Sequence, residues 1–211
     1  MEKVKFQTDL SLLAETFGIN RTSHCEHLNN WISSTCELNT TEQDVFESLF
    51  ADVVEDINYW NEEELKIQFI GTCFRIANIN VKSKIKVFFE RSLSAKVDNH
   101  QLSVIADCLV ATPMTFATPQ NPFFFLQEYK KGRGESKDPE AQMLMAMLIA
   151  QEKNKDGKPI YGSYLFGSHI RFTTLVGREY CISKNFSADE REDLLSIICI
   201  LRKLKELILN R

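Results

Sequence analysis

Three polar residues interrupt or follow the most apolar segments in the middle of the chain. Asp107 lies within the apolar run 104–110, and Glu128 and Lys130 follow a run of three phenylalanines and a leucine at 123–126. Both runs are rich in β-branched or aromatic residues, which predicts strands. Side chains two residues apart point to one face of a strand, so Glu128 and Lys130 should share a face. If the two strands pair antiparallel, Asp107 lies beside Glu128.

Two neighbouring carboxylates at this place predict a divalent cation. Adjacent carboxylates repel each other, and a cation removes the cost of burying them. Oxygen-only ligands favour a hard ion such as Mg²⁺, which takes one or two protein carboxylates together with water and substrate phosphate. A lysine on the same face would orient or activate the attacking water, or stabilise the charge that develops on phosphorus. The pattern therefore predicts metal-dependent phosphodiester hydrolysis, although acidic strand ends and E-x-K tripeptides are also common by chance.

The N-terminal 60 residues carry helical patterns of apolar residues. Thr40 and Gln43 are spaced as a capping box at the start of the clearest of these helices. We expect residues 1–60 to form a helical extension, and residues 61–211 to form the domain that carries the acidic residues.

A further helix is predicted over residues 61–77, directly before the first strand. On a projection of about 100° per residue, Glu62 falls closest to the apolar face of this helix and Glu63 falls next. A carboxylate is therefore expected at the first turn of a buried helix face.

The pattern after residue 77 predicts a mixed sheet flanked by helices. Strands are expected at 84–90, 102–111, 122–129, 160–166, 170–176 and 179–183. Asp138 followed by proline predicts a helix start between the third and fourth strands, and Ser187 with Glu190 is expected to cap a last helix. The fold class is therefore α/β, with a helical cap at the N-terminus.

Asp107 and the Glu128-Tyr129-Lys130 tripeptide, set in the order helix, three strands, helix, strand, resemble the PD-(D/E)XK (restriction-endonuclease-like) nuclease superfamily. The resemblance covers about residues 61–167, and no proline precedes Asp107, which the family tolerates. It implies that Asp107 and Glu128 bind Mg²⁺ or Mn²⁺, that Lys130 is catalytic, and that a glutamate on the preceding helix assists metal binding. Glu62 matches that glutamate best, with Glu63 as the alternative. The run 122–200 also resembles uncharacterised bacterial proteins described as nucleases.

Two features after the motif extend the expected site. Gln142 matches a glutamine that several branches of the family carry near the active site; it hydrogen-bonds substrate or is a solvated helix residue. Lys131, Arg133 and Lys137 lie in a glycine-containing segment with one acid, Glu135. These cations contact nucleic-acid phosphates or form a solvated turn.

Composition limits the class of protein. The chain has 211 residues, 44% of them hydrophobic and 26% charged, which is typical of a globular domain. The net charge of -4 argues mildly against nucleic-acid binding. No run approaches the roughly 18 to 20 apolar residues of a membrane span, and the N-terminus lacks a signal-peptide pattern. We therefore expect a cytoplasmic protein whose six cysteines are reduced thiols.

A zinc site near the N-terminus is the main competing metal site. His24, Cys25, His27 and Cys36 could supply its ligands. Their spacing matches no standard structural zinc pattern, so solvent-facing histidines are expected instead.

Three classes of function stay open at this point. The first is a Mg²⁺-dependent DNA nuclease in restriction, repair or mobile-element defence. The second is a nuclease fold without activity that binds nucleic acid or protein. The third is an interaction protein whose first 60 residues dock a protein partner. Double-strand cleavage with one site per chain needs two chains, which permits a homodimer.

Overall fold

A single mixed β-sheet organises the chain. The computed structural model describes Phe6 and residues 9–22, 25–114, 118–130 and 138–211, with the side chains of Leu126 and Lys130 excepted. These parts of the chain form six helices and eight strands. The α/β class expected from the sequence is therefore confirmed.

The helices group at the N-terminus, before the first long strand, between β4 and β5, and at the C-terminus. They are α1 (Leu10–Thr16), α2 (Glu26–Ile32), α3 (Thr40–Asp56), α4 (Glu62–Ala77), α5 (Pro139–Asn154) and α6 (Arg191–Leu209). Within α4, Leu65–Ile70 is π-helical. Asn39 and Glu42 form the capping box of α3, so the Thr40–Gln43 assignment was wrong by one residue. No side chain caps α6, which begins after Glu190, so the cap expected from Ser187 was also wrong.

The strands include two short ones that the sequence did not predict, the first and the last. They are β1 (Asn20–Thr22), β2 (Lys86–Val97), β3 (His100–Pro113), β4 (Pro119–Lys130), β5 (Ile160–Phe166), β6 (His169–Val176), β7 (Glu179–Ile182) and β8 (Phe186–Ser187). The sheet order is β1-β7-β6-β5-β4-β3-β2, and β8 pairs with β6. The pairs β1–β7 and β4–β5 are parallel, and the other pairs are antiparallel.

The two faces of the sheet carry two apolar layers. Helices α2, α3, α4 and α6 cover one face and form what we call the four-helix layer; α5 and α1 cover the other and form the α5 layer. Trp31 of α2 is fully buried in the four-helix layer, where its Nε1 donates a hydrogen bond to the Ile200 carbonyl at 2.8 Å. Its ring packs edge-on against Phe125 and Phe172 of the sheet. The N-terminal helices therefore share one core with the strands.

The cysteine prediction needs a correction. Cys36 and Cys199 form a disulfide, with an S–S distance of 2.14 Å, whereas all six cysteines were expected to be reduced. Cys25, Cys73, Cys108 and Cys181 are free thiols. The prediction failed because the two partners are 163 residues apart in sequence and meet only when α6 packs beside α2.

Gly162 marks the closest approach of α5 to the sheet. A Cβ at this position would lie 2.8 Å from Met143 Sδ, 2.9 Å from Thr173 Oγ1 and 3.1 Å from Met147 Sδ. All three neighbours are fully buried, so they have little room to move. We expect Gly162→Ala to lower the free energy of unfolding by about 1 to 3 kcal/mol, measured by urea denaturation. The matched control is Ser94→Ala on the exposed face of β2; equal stability of both variants would contradict the prediction.

Among the residues that the structure describes, no helix has the length and apolar character needed to cross a membrane.

Candidate functional site

Asp107 and Glu128 lie side by side on neighbouring antiparallel strands. Cys108 of β3 pairs with Gln127 of β4, and the same register places Asp107 opposite Glu128. Asp107 Oδ2 accepts a hydrogen bond from the Tyr129 backbone N–H at 3.0 Å, so the Asp107 side chain reaches across to β4. Asp107 is 9% exposed and Glu128 is fully buried. The antiparallel pairing on which the predicted carboxylate pair depends is therefore present.

Glu128 points towards the α5 layer. Its neighbour Gln127 lines a small cavity in the four-helix layer, and Tyr129 belongs to that layer too. Because side chains alternate along a strand, Glu128 lies on the opposite face. Its partner on β5 is Tyr164, whose hydroxyl donates to Glu140 Oε2 of α5 at 2.7 Å.

The regular alternation of β3 breaks at Asp107. Ala106 packs in the α5 layer, whereas Cys108, two residues later, packs in the four-helix layer. Opposite Asp107, on β2, Glu90 has a left-handed backbone with φ 51°. That conformation costs a residue other than glycine about 1 to 2 kcal/mol. Strained residues of this kind cluster at functional sites.

Several carboxylates near Asp107 raise the pKa values of two buried neighbours, Cys108 and Tyr129. Burial raises the pKa of the Cys108 thiol well above its ordinary value, and the charges of Asp107, Glu128 and Glu90 raise it further. Burial also raises the pKa of the Tyr129 hydroxyl, and the negative charges of Asp107, Glu90 and Glu63 raise it further. Asp107 and Glu90 thus act on both groups, whereas Glu128 acts on the Cys108 thiol and Glu63 acts on the Tyr129 hydroxyl.

Lys66 ties α4 to the strand beside Asp107. Its ammonium lies 2.9 Å from Glu90 Oε1 and also contacts Glu63. Burial lowers the pKa of Lys66, but the hydrogen bonds to Glu63 and Glu90 outweigh that effect, so the pKa is raised. Lys66 lies in the π-helical part of α4, and such segments are frequent at functional sites. Through this contact Glu63 is linked to the strands, while Glu62 lies half-buried at the start of the same helix.

Four predicted cations fall wholly or partly outside the described residues. The backbone of Lys130 closes β4 and pairs with Phe166 of β5. The Lys130 side chain, and all of Lys131, Arg133 and Lys137, belong to the parts of the chain that the structure does not describe. Their assignment as catalytic or phosphate-binding residues stays a prediction.

Gln142 is buried rather than solvated. It is 6% exposed on α5, and its Oε1 has no hydrogen-bond partner among the residues that the structure describes. An amide oxygen without a partner in a low-dielectric site costs free energy that a water or ligand would recover. Of the two alternatives for Gln142, the solvated helix residue is therefore wrong.

The donor set at Asp107 and Glu128 suits Mg²⁺ better than zinc. Among the described residues, no group of three or more His, Cys, Asp or Glu side chains is arranged to hold a metal ion. Mg²⁺ differs from structural zinc in needing only one or two protein carboxylates, since water and substrate phosphate complete its shell. The competing zinc site also loses Cys36 to the disulfide, and His24 lies outside the described residues.

Sequence reasoning missed Glu90, Lys66, Tyr164 and Arg171 as neighbours of this point. Glu90 could have been found from the Asp98-Asn99 turn, because a two-residue hairpin with Val97 opposite His100 brings Glu90 opposite Asp107. Tyr164 and Arg171 gave no such signal, since their position depends on the register across the helical crossover.

No protein-family model matches the chain, and no curated protein is significantly similar to it.

Proposed function

We propose that this protein is a Mg²⁺-dependent nuclease that hydrolyses phosphodiester bonds of DNA, built on a restriction-endonuclease-like core. The observation that carries the proposal is the lateral pairing of Asp107 and Glu128, with Asp107 reaching across to the backbone of Tyr129. Nothing in an ordinary apolar sheet requires two buried carboxylates in adjacent positions. A cation between them removes their repulsion.

The strand topology supports the same proposal. Helix α4 is followed by three antiparallel strands, β2 to β4, then by α5 and a strand, β5, that runs parallel to β4. This is the element order that the resemblance to the PD-(D/E)XK superfamily implies. Fold alone does not define activity, so the proposal depends on Asp107 in the middle of β3 and Glu128 near the end of β4.

Each residue has a role in the proposed reaction. Asp107 and Glu128 would hold the cation. Glu62 and Glu63 belong to α4 in the four-helix layer, whereas Glu128 points to the α5 layer, so either glutamate would assist only if the cation lay at the break of alternation beside Asp107. The cation, when bound, would act as a Lewis acid on the phosphate and lower the pKa of bound water. Lys130 would orient the attacking water or stabilise the charge on phosphorus. Gln142, which is buried and whose amide oxygen has no partner in the described part of the chain, would hydrogen-bond a water or substrate group.

The burial of Glu128 favours a second candidate function. A carboxylate with no exposed surface can ligate a cation only if the surrounding segment opens or leaves a path for it. On this alternative the fold binds nucleic acid or a protein without cleaving it. The two candidates differ in Mg²⁺ dependence, because binding through surface cations does not need the ion.

A plasmid assay separates these candidates. We expect the wild-type protein to nick supercoiled DNA in Mg²⁺ or Mn²⁺ and not in EDTA. Lys130→Ala should reduce the rate by about 10²-fold or more, since one donor to a developing charge contributes that much. Lys96→Ala, an exposed lysine at the far end of β2, is the matched control.

Each result of this assay has a definite reading. Equal rates for Lys130→Ala and wild type would reject the catalytic role of Lys130. A wild-type protein that binds DNA without cleaving it in either metal would support the second candidate. Participation in restriction, repair or mobile-element defence is proposed only if cleavage is found.

A further inference from the structure

A row of side chains extends from Glu128 across the α5-facing side of the sheet. Glu128 of β4 pairs with Tyr164 of β5, and Tyr164 pairs with Arg171 of β6. Neighbouring strands are about 4.8 Å apart, so the Arg171 Cα lies roughly 10 Å from the Glu128 Cα. Arg171 faces the α5 side because its neighbours Ile170 and Phe172 both pack in the four-helix layer.

Arg171 differs from most arginines of the described chain. Arg178, Arg191, Arg202 and Arg211 each form an ion pair with a carboxylate. Within the described residues, no hydrogen bond or ion pair involves the side chain of Arg171, a half-buried residue. A guanidinium without a carboxylate partner retains its capacity for bidentate binding of a phosphate.

The positive charge of Arg171 affects the pKa of the Tyr164 hydroxyl. Burial and the contact with Glu140 raise the pKa of the Tyr164 hydroxyl, while Arg171 and Arg21 oppose that rise. Arg21 of β1 is 53% exposed and approaches Glu140 Oε1 at 4.0 Å. Two arginines therefore lie near the Tyr164–Glu140 pair, on the side of the sheet to which Glu128 points.

An exposed aromatic ring lies beside this row, two residues further along β5. Phe166 is two residues beyond Tyr164 on β5, so it faces the same side, and it is 42% exposed. Its strand neighbours are Lys130 on one side and His169 on the other. Exposed rings of this kind bind nucleic-acid bases by stacking, and an unpaired base is required for that contact.

We propose that the end of the β5–β6 hairpin binds an unpaired nucleotide of the substrate strand, with its phosphate on Arg171 and its base on Phe166. The inference rests on the proposed nuclease function and adds the substrate class, single-stranded or frayed nucleic acid. Arg171 and Phe166 are binding residues in this scheme and take no part in the chemical step.

Binding without cleavage tests this inference independently of activity. The measurement is fluorescence anisotropy with a labelled single-stranded DNA oligonucleotide and with its duplex, both in EDTA. Arg171→Ala should weaken single-strand binding about tenfold and lower the salt slope by about 0.7, the contribution of one phosphate contact. Phe166→Ala should weaken single-strand binding about tenfold and leave duplex binding unchanged, because only the unpaired base can stack.

Two matched variants control for general effects of lost charge or surface. Arg75→Ala removes an exposed arginine from α4, and Tyr59→Ala removes an aromatic side chain that is 83% exposed. Neither should change binding. Circular dichroism melting would show that each variant is folded.

The outcomes distinguish this inference from the proposed function. Arg171-dependent binding without any cleavage would reject the nuclease and support the nucleotide site. If the wild type cleaves DNA and Arg171→Ala binds the single-stranded oligonucleotide as tightly as the wild type does, the nucleotide site is overturned and the nuclease proposal stands. The nucleotide site is also overturned if the wild-type protein binds neither the single-stranded oligonucleotide nor its duplex.

Discussion

Replacing Asp107 by Asn should reduce Mg²⁺-dependent DNA cleavage by roughly 10³-fold while leaving the fold intact. The loss is large because one of two carboxylate ligands disappears, and with it much of the charge stabilisation that the metal provides. The fold survives because an Asn oxygen can still accept the hydrogen bond from Tyr129 N–H, at the position where Asp107 Oδ2 now accepts it at 3.0 Å. Initial rates of plasmid nicking measure the effect.

Thermal melting supplies a readout that a merely structural residue would not give. Without metal, Asp107→Asn should melt within about 3 °C of wild type, because the substitution removes one of two repelling charges and keeps the acceptor. Added Mg²⁺ should stabilise the wild type by about 2.7 kcal/mol at a concentration of 100 times Kd. The variant should show little of this effect, because its site has lost a ligand.

An exposed aspartate provides the comparison. Asp52→Asn on α3 makes the same chemical change away from the strands and should cleave and melt like wild type. If Asp107→Asn cleaves DNA at the wild-type rate, the role of Asp107 as a metal ligand is overturned. Glu128→Gln should repeat the loss of cleavage, and full activity in that variant would reject the carboxylate pair.

The sequence allowed the elements around Asp107 and Glu128 to be predicted because their signals are local. The apolar runs on either side of these acids predicted strands, and Asp138 before a proline predicted the start of α5, where it caps the helix through Glu140 N–H. The antiparallel pairing of β3 and β4, which the sequence left as a condition of the carboxylate pair, is present in the sheet. Short hairpins and caps are decided within a few residues, so a single sequence contains the information.

The features that were missed depend on contacts between distant parts of the chain. β1 is three residues long and exists because it pairs in parallel with β7, so no local pattern marks it. The break of alternation at Asp107 reflects a left-handed Glu90 on the neighbouring strand. The row from Glu128 to Arg171 needs the parallel register of β4 and β5, which the packing of α5 determines. None of these relations has a fixed spacing in the sequence.

Reducing the Cys36–Cys199 disulfide should destabilise the protein more than any single substitution considered above. The bond joins the segment between α2 and α3 to α6, across a separation of 163 residues. Closing so long a loop restricts the unfolded chain, and the entropy of loop closure corresponds to about 5 kcal/mol. We expect reductant to lower the free energy of unfolding by about 3 to 5 kcal/mol, measured by urea denaturation of the full chain with and without the reductant.

The double variant Cys36→Ser, Cys199→Ser controls for other effects of the reductant. Its stability should match that of the reduced wild type and should not change when reductant is added. Cys25 and Cys181 are free thiols that the double variant retains. Any change in the stability of that variant on adding reductant would therefore come from groups other than the disulfide. Identical stability of oxidised and reduced wild type would contradict the prediction. Because disulfides are reduced in most cytosols, the reduced stability is the one that decides whether α2 and α6 stay packed in such a compartment.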